Sequence, residues 1–197
     1  SLIHHIGISL FETLISFFIV IMGSLVIATL FWWNETISKI LEPYLVVLNS
    51  LPKSALAPLL IVWLGANKTT IIICACSVAV FGSILNIYTG FMNVDPDKIK
   101  LIDTLKGTRL QSLYLVVLPS NVPNIISIMK VNIGLCLVGV IIGEFLAARE
   151  GLGYLIIYGS QVFKMSNVLL SILILCLIAM GLYVVLQHFE KKLNEYF

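Results

Sequence analysis

Long apolar runs that hold almost no charge constrain this chain more than any other feature of its sequence. The clearest run extends from Thr69 to Met92 and contains no Asp, Glu, Lys or Arg. About 20 helical residues cross a bilayer core about 30 Å thick, so this run is long enough to span it. Only 11% of all residues are charged, against about 25% in soluble domains, which argues against a soluble enzyme. The net charge of +2 gives no electrostatic footprint for nucleic-acid binding.

Five such runs predict an all-α fold, a polytopic bundle of membrane helices in one transmembrane domain that covers residues 1–197. The spans are expected at residues 6–33, 44–64, 69–92, 119–148 and 167–187. The first run ends at Trp32 and Trp33, an aromatic pair that is typical of the membrane interface. The second contains Pro52 and Pro58, so we expect a kinked or late-starting helix there.

The basic residues indicate the orientation, because cytoplasmic loops are enriched in Lys and Arg. If the polar loop 93–112 is cytoplasmic, eight basic residues share its side and three lie opposite, with mid-span Lys130 left out. The eight are Lys39, Lys53, Lys98, Lys100, Lys106, Arg109, Lys191 and Lys192, and the three are Lys68, Arg149 and Lys164. The C-terminus is then cytoplasmic, and five spans place residue 1 outside. An outside N-terminus without a signal sequence predicts a further helix before Ser1 in the natural protein.

The polar loop between the third and fourth spans predicts a short amphipathic helix. Asp95 is a suitable N-cap, Pro96 fits the first helical position, and Gly107 can close the helix. An apolar stripe is formed by residues about three positions apart, namely Ile99, Ile102 and Leu105.

A second short helix is expected after Gly107, before Pro119 begins the fourth span. Its apolar side would carry Leu110, Leu113, Tyr114 and Val117. Two interpretations of the pair of helices stay open from spacing alone. They could lie on the lipid headgroups, or they could insert into a cytoplasmic partner.

Four blocks of sequence resemble the permeases of binding-protein-dependent ABC importers, in particular the nitrate/sulfonate/taurine-type branch. They are residues 51–65 (LPKSALAPLLIVWLG), 86–96 (NIYTGFMNVDP), 105–124 (LKGTRLQSLYLVVLPSNVPN) and 143–156 (GEFLAAREGLGYLI). The third block resembles the EAA loop of that family. The blocks occur in family order over nearly the whole chain, so together they are far more specific than any one of them.

The sequence departs from the family pattern in two places. The Glu-Ala-Ala of the EAA loop is replaced by Lys100, Leu101 and Ile102. The usual glycine position is Lys106, with Gly107 one residue later, which leaves the shape of the turn open. Such permeases usually have six spans, and this chain begins at what resembles the second. That agrees with the helix predicted before Ser1.

The resemblance implies the fold of a type I ABC importer permease (MetI-like) and its partners. Two permease chains, here expected to be a homodimer, would pair around a central path in the plasma membrane. Cytoplasmic ABC ATPase subunits would bind the loop and use ATP and Mg²⁺, and an external substrate-binding protein would deliver a solute. The chain lacks a Walker A loop, so no ATP hydrolysis and no bound cofactor are expected of it.

The resemblance places the ATPase contact in the loop from Asp95 to Leu118. Its candidate residues are Asp95, Pro96, Lys100, Leu101, Ile102, Asp103, Leu105, Lys106, Gly107, Arg109 and Pro119.

Polar residues within the spans are candidates for the solute pathway, because an ionisable group in hydrocarbon normally faces protein or water. Lys130 could attract an anion, or it could pair with Glu144 or with helix carbonyls, or snorkel. Asn86 and Asn132 could bond between helices or line the pathway. Glu144 is interpreted as holding a turn or gate rather than contacting solute.

The gate candidates next to that carboxylate are Gly151, Gly153 and Tyr154. The four cysteines lie in apolar runs and are interpreted as packing residues, and no spacing suits a metal site.

Two alternatives to a permease remain: a self-contained secondary transporter or channel, and a membrane-embedded enzyme. The former should show a repeat or several ion-coupling groups, and the latter clustered catalytic residues; neither pattern is visible. The resemblance implies as solute either a nitrate-, sulfonate- or taurine-like anion or a heterocycle such as a vitamin precursor.

Overall fold

A computed structural model describes residues 2–194, which form helices joined by short turns and contain no β-strand. The helices are α1 Leu2–Trp33, α2 Glu35–Ser50, α3 Lys53–Leu64, α4 Lys68–Met92, α5 Pro96–Thr104, α6 Arg109–Ser112, α7 Leu118–Ala147, α8 Leu152–Gln161 and α9 Met165–Asn194. A π-helical turn, Leu113–Val117, joins α6 to α7.

Four stretches of the described chain are long and apolar enough to cross a bilayer. They are α1, α4, the continuous helix Arg109–Ala147 and the Met165–Lys192 part of α9. The pair α2 and α3 adds a fifth if a broken span is counted as one. The all-α membrane bundle predicted from the sequence is therefore confirmed.

The second predicted span is the one that differs most from its expected form. In place of one helix over residues 44–64, α2 begins at Glu35, and α3 leaves it at an angle of 95°. The side chain of Asn34 accepts from the backbone N–H groups of Thr36 and Ile37, which explains the early start. The predicted break occurs where expected, because Pro52 cannot continue the hydrogen-bond ladder of α2.

The expected second loop helix forms as α6 and the π turn, and it continues directly into α7, which has Pro119 in its first turn. The chain is helical without interruption from Arg109 to Ala147. Pro119 lacks an N–H group, and its ring crowds the carbonyl of Leu115 four residues earlier. The π turn ends two residues before Pro119, and the Leu118 N–H donates to the Leu113 carbonyl five residues back. Because a π turn is wider than an α-helical turn, the helix can continue through the proline.

The core lies where α1, α4 and α7 meet. A side chain at Gly139 would overlap the backbone of Ala75, so α7 and α4 approach closely at small residues. Near the polar loop, Phe31 and Tyr88 pack edge to face, and the Tyr88 hydroxyl donates to Ser38. Helix α9 is covered far less by its neighbours. In its most apolar stretch 6% of the residues are buried, compared with 44% in α4.

Candidate functional site

The polar loop is built around α5, which has a well-defined start. Asp95 accepts a hydrogen bond from the Asp97 N–H at 2.9 Å, and Pro96 occupies the first helical position. Both roles were predicted from the sequence, and the structure confirms them. The cap and the proline together fix the direction in which α5 leaves α4.

The end of α5 is a Schellman turn. The Gly107 N–H donates to the Ile102 carbonyl at 2.9 Å, and the Lys106 N–H donates to the Asp103 carbonyl at 2.9 Å. Lys106 takes a left-handed backbone conformation, with φ of +57°. The position at which the family usually has glycine therefore does adopt a conformation that favours glycine. Gly107 is required for another reason, because a side chain there would overlap Ile102.

The outward surface of α5 is apolar at two residues of the loop. Leu101 is 59% exposed and Leu105 is 72% exposed. The three residues of the predicted apolar stripe therefore differ in exposure. Ile99 and Ile102 are half-buried, whereas Leu105 lies past the helix end and is exposed. Lys100 bonds to Asp97 on the exposed surface.

Arg109 connects this loop to the end of α1. Its Nη2 donates to the carbonyl of Trp32 at 3.1 Å, and its guanidinium lies 5.3 Å from the centre of the Trp32 ring. A cation at the C-terminal end of a helix is favoured by the helix dipole. Arg109 thus belongs to the contact between the loop and α1, a role that the sequence did not indicate.

A cavity of about 1030 Å³ runs beside the start of the loop between α4 and α7, and we refer to it as the polar cavity. Its polar lining residues are Asn49, Lys53, Ser83, Asn86, Thr89, Asn93, Asp95, Lys98, Ser120, Asn121, Asn124, Ser127 and Asn132. Two of the four pathway candidates, Asn86 and Asn132, therefore lie in this lining. Amide side chains predominate, and each offers both a donor and an acceptor.

Lys130 and Glu144 are outside the polar cavity. The Lys130 ammonium pairs with Glu190 of α9 at 2.7 Å, in a contact that is largely shielded from solvent. Of the interpretations of Lys130 drawn from the sequence, the structure shows an ion pair, although with Glu190 rather than Glu144. This pair joins α7 to the otherwise lightly covered α9.

Glu144 holds the loop that precedes α8. Its Oε2 accepts from the Gly153 N–H at 2.6 Å, and its Oε1 accepts from the Ser9 hydroxyl at 2.6 Å. Ser9 in turn accepts from the Leu152 N–H at 2.8 Å, and His5 Nδ1 accepts from the Gly151 N–H at 3.0 Å. We call this group, namely His5, Ser9, Glu144 and the backbone of residues 151–153, the carboxylate latch.

The two glycines of the latch are required by the closeness of the carboxylate. A side chain at Gly151 would overlap the Glu144 carboxylate, and Gly151 also has φ of +106°. At Gly153 an added Cβ would lie 2.8 Å from Glu144 Oε2. Tyr154 follows and stacks between His5 and Tyr158. The sequence thus identified Glu144 and both glycines correctly as neighbours.

Sequence reasoning missed the α1 side of this group. Ser9 and Glu12 are fully buried against α7, yet they stand in the first apolar run, where only the charge of Glu12 marked the position. Neither oxygen of the Glu12 carboxyl has a hydrogen-bond partner within the described residues. A buried carboxyl in an apolar run was the available signal, because such a group normally faces protein.

The sequence of this chain matches a family model over residues 13–195, and the description of that family is binding-protein-dependent transport system inner membrane component. The chain belongs to this family, whose members are the permease components of ABC transporters in the inner membrane. The resemblance noted from the four sequence blocks is thereby confirmed. Family members work with an ATPase and a substrate-binding partner, and they are transport components.

Two curated relatives illustrate the range of the family. The formylaminopyrimidine transport permease protein ThiX of Halalkalibacterium halodurans is 29% identical over 135 residues, which is 68% of this chain and 54% of that protein. The putative aliphatic sulfonates transport permease protein SsuC of Bacillus subtilis is 25% identical over 196 residues, which is 100% of this chain and 71% of that protein.

The fold also has a solved counterpart. A chain of the MetNI methionine ABC transporter, in an inward-facing crystal form, superposes with a TM-score of 0.80 at 13% sequence identity. The superposition covers 96% of this chain and 94% of the other. At this identity the comparison shows a shared fold, and it supports the type I importer architecture.

Proposed function

We propose that this chain is the permease subunit of an ATP-driven importer that moves a small solute into the cell by alternating access. Its family membership supports this reading over a self-contained secondary transporter or channel. ATP and Mg²⁺ would be used by separate ABC ATPase subunits. A second copy of this chain would complete the pathway, and an external binding protein would supply the solute.

The loop helix α5 is the proposed ATPase contact, and its geometry is the observation that carries the proposal. An N-cap and a Schellman turn fix both of its ends, while Leu101 and Leu105 remain exposed. Exposed leucines on a short helix with fixed ends, and on the turn that follows it, are suited to a partner's apolar groove. In this reading the loop and the C-terminus face the cytoplasm, and the carboxylate latch lies toward the outer side.

Movement of the loop would reach the pathway through one helix. The helix from Arg109 to Ala147 runs beside the polar cavity at Asn132 and ends at the carboxylate latch. When the ATPase subunits close on ATP, they would favour the loop position that belongs to the outward-facing state. A docked binding protein would favour the same state, so both ligands shift one equilibrium.

The ATPase contact is tested by co-purification from membranes that hold the permease and its cognate ATPase. The double variant L101D/L105D should lose the ATPase, because two charges would have to be buried in the contact. The control L101M/L105M keeps an apolar side chain of similar volume and should retain it. Retention of the ATPase by the aspartate variant at wild-type yield would contradict the assignment.

For the solute we propose an uncharged polar heterocycle, of the kind represented by vitamin precursors, rather than a sulfonate-like anion. The polar cavity offers amides and hydroxyls in large numbers, and these pair with ring nitrogens and carbonyls in both directions. Lys130 is committed to Glu190, and Lys53 donates to the carbonyl and the side chain of Asn49. The lining also contains Lys98, together with the acidic Asp95. The name of the relative ThiX is consistent with this class, whereas that of SsuC favours the anion.

Uptake by a Lys53 variant distinguishes an uncharged solute from an anionic one. In proteoliposomes with the ATPase and a loaded binding protein, K53M should leave uptake of a neutral heterocycle largely intact. If the solute is an anion that Lys53 attracts, the same variant should raise the KM strongly and should also weaken its dependence on salt. The variant K39M, which alters an exposed lysine outside the polar cavity, serves as the matched control.

A further inference from the structure

Two carboxyl groups lie on neighbouring helices inside the membrane domain, and they are held in very different ways. Glu144 accepts hydrogen bonds from Ser9 and Gly153, so it is supplied with donors as a carboxylate requires. Glu12 lies three residues after Ser9 on α1, so it shares the buried helix face from which Ser9 donates to Glu144, and it is 1% exposed. Both oxygens of Glu12 lack a donor within the described residues.

These contacts assign the two groups opposite protonation states. Two carboxylates held close together and out of water repel each other, so one of such a pair keeps its proton. The donors surround Glu144, which stabilises the charged form of that residue. Glu12 has no donor, and an ionised carboxylate without one is the costliest group that a protein interior can hold.

Other charged groups near Glu12 do not alter this assignment. Lys68 at the start of α4 and Glu150 after α7 are the charged neighbours, and they pair with each other at 3.9 Å on the exposed surface. Arg149 lines the same shallow cavity as Glu12 and Lys68. His5 is occupied as the acceptor of the Gly151 N–H. None of these groups donates a hydrogen bond to Glu12.

We propose that Glu12 and Glu144 form a proton-binding site, in which the proton resides on Glu12 and keeps the carboxylate latch closed. Loss of that proton to water leaves two adjacent carboxylates, whose repulsion moves Glu144 away from Ser9 and Gly153. The N–H groups of residues 151–153 then lose their acceptors, and the loop before α8 is released. When the latch closes again, one proton returns from water to Glu12.

The sign of the pH dependence follows from this proton count. The closed latch binds one proton more than the open latch, so raising the pH favours opening by at most about tenfold per pH unit, over the range in which the open latch has released the proton and the closed latch still holds it. Lowering the pH keeps the latch closed. The inference goes beyond the proposed transport function, and its test needs no transport.

Hydrogen exchange of the backbone amides in residues 149–158 measures the latch directly. The full permease–ATPase complex in lipid nanodiscs is compared across a series of pH values. Residues 34–40 serve as internal reference, because the N–H groups of Thr36 and Ile37 are bonded to the neutral side chain of Asn34. The exchange rate of the latch peptide relative to this reference should rise with pH in the wild type.

The variant E12Q supplies the decisive comparison, because a glutamine has nearly the shape of a protonated glutamate and cannot ionise. Its relative exchange rate should stay flat over the whole series. A flat wild-type series, or an E12Q series that superimposes on a rising wild-type one, would overturn the proposal.

Infrared spectroscopy of the wild-type complex keeps the proposal testable if E12Q does not assemble. At neutral pH, where exposed carboxyl groups are ionised, a carboxylic-acid C=O band that shifts in D₂O is expected from Glu12. The lack of such a band at neutral pH would show that Glu12 is ionised, and the proposal would then be wrong.

Discussion

Lys106 and Gly107 are neighbours in one turn, but they are subject to different constraints. Lys106 has the left-handed backbone, whereas Gly107 is confined by the nearness of Ile102. A non-glycine residue in the left-handed region costs about 1–2 kcal/mol. The glycine of this turn therefore stands one position away from the residue that has the unfavourable dihedral angle.

Substitutions at these two positions should act in opposite directions. K106G should stabilise the turn by about 1 kcal/mol, because glycine adopts a positive φ without steric cost. G107V should disrupt the turn and lower both complex assembly and coupled ATP hydrolysis, since the added side chain overlaps Ile102. Thermal unfolding and ATPase co-purification of the two variants would check this, and wild-type behaviour of G107V would be the contrary result.

At the scale of elements, helices were easier to predict than the connections between them. Uncharged runs and caps are local signals, and they located α4, α5 and the break at Pro52. The continuity of the helix through Pro119 was not predictable from those signals, because a proline normally ends a helix and the π turn that accommodates it has no distinct pattern. The early start of α2 depended on one side chain, Asn34.

The candidate site was predicted less completely, because its contacts join residues far apart in the chain. Glu144, Gly151 and Gly153 were recognisable from one sequence block. Their partners Ser9 and Glu12 are on α1, and only the folded bundle brings them together. In the same way, Glu190 gave no sign that it would pair with Lys130.

Arg109 should act as the link between the polar loop and α1. R109K loses the planar stacking on Trp32 and the geometry of the bond to its carbonyl, which together contribute about 1 kcal/mol. We expect a lower unfolding temperature and more ATP hydrolysed per solute imported. K39A breaks only an exposed pair with Glu35 and should change neither quantity measurably. Equal behaviour of the two variants would mean that Arg109 does not connect these elements.

For the molecule as a whole, α1, α4 and α7 form the core, and α9 is attached at its edge. Helix α9 buries little of its surface and contacts α7 and α8, and the ion pair between Lys130 and Glu190 adds a charged contact to α7. Removal of one partner leaves a shielded charge without its counterion, and this is more damaging than removal of both.

A double-mutant cycle tests this attachment. K130M and E190Q should each lower the stability of the complex in detergent, and K130M/E190Q should recover most of the loss. Uptake should follow stability, because neither residue lines the polar cavity. If K130M changes the solute selectivity and the double variant does not restore it, Lys130 contributes to the solute pathway.

The π turn at Leu113–Val117 has a consequence for how chain length can vary in this protein. A π turn holds one residue more than the α-helical path needs, so a relative without a proline at position 119 can lose one residue there while the flanking segments keep their phase. Deletion of one residue elsewhere in α7 would rotate everything beyond it by about 100°, and would turn Asn132 and Glu144 away from their neighbours. In alignments of related permeases, single-residue gaps in this long helix should therefore gather at the turn before Pro119.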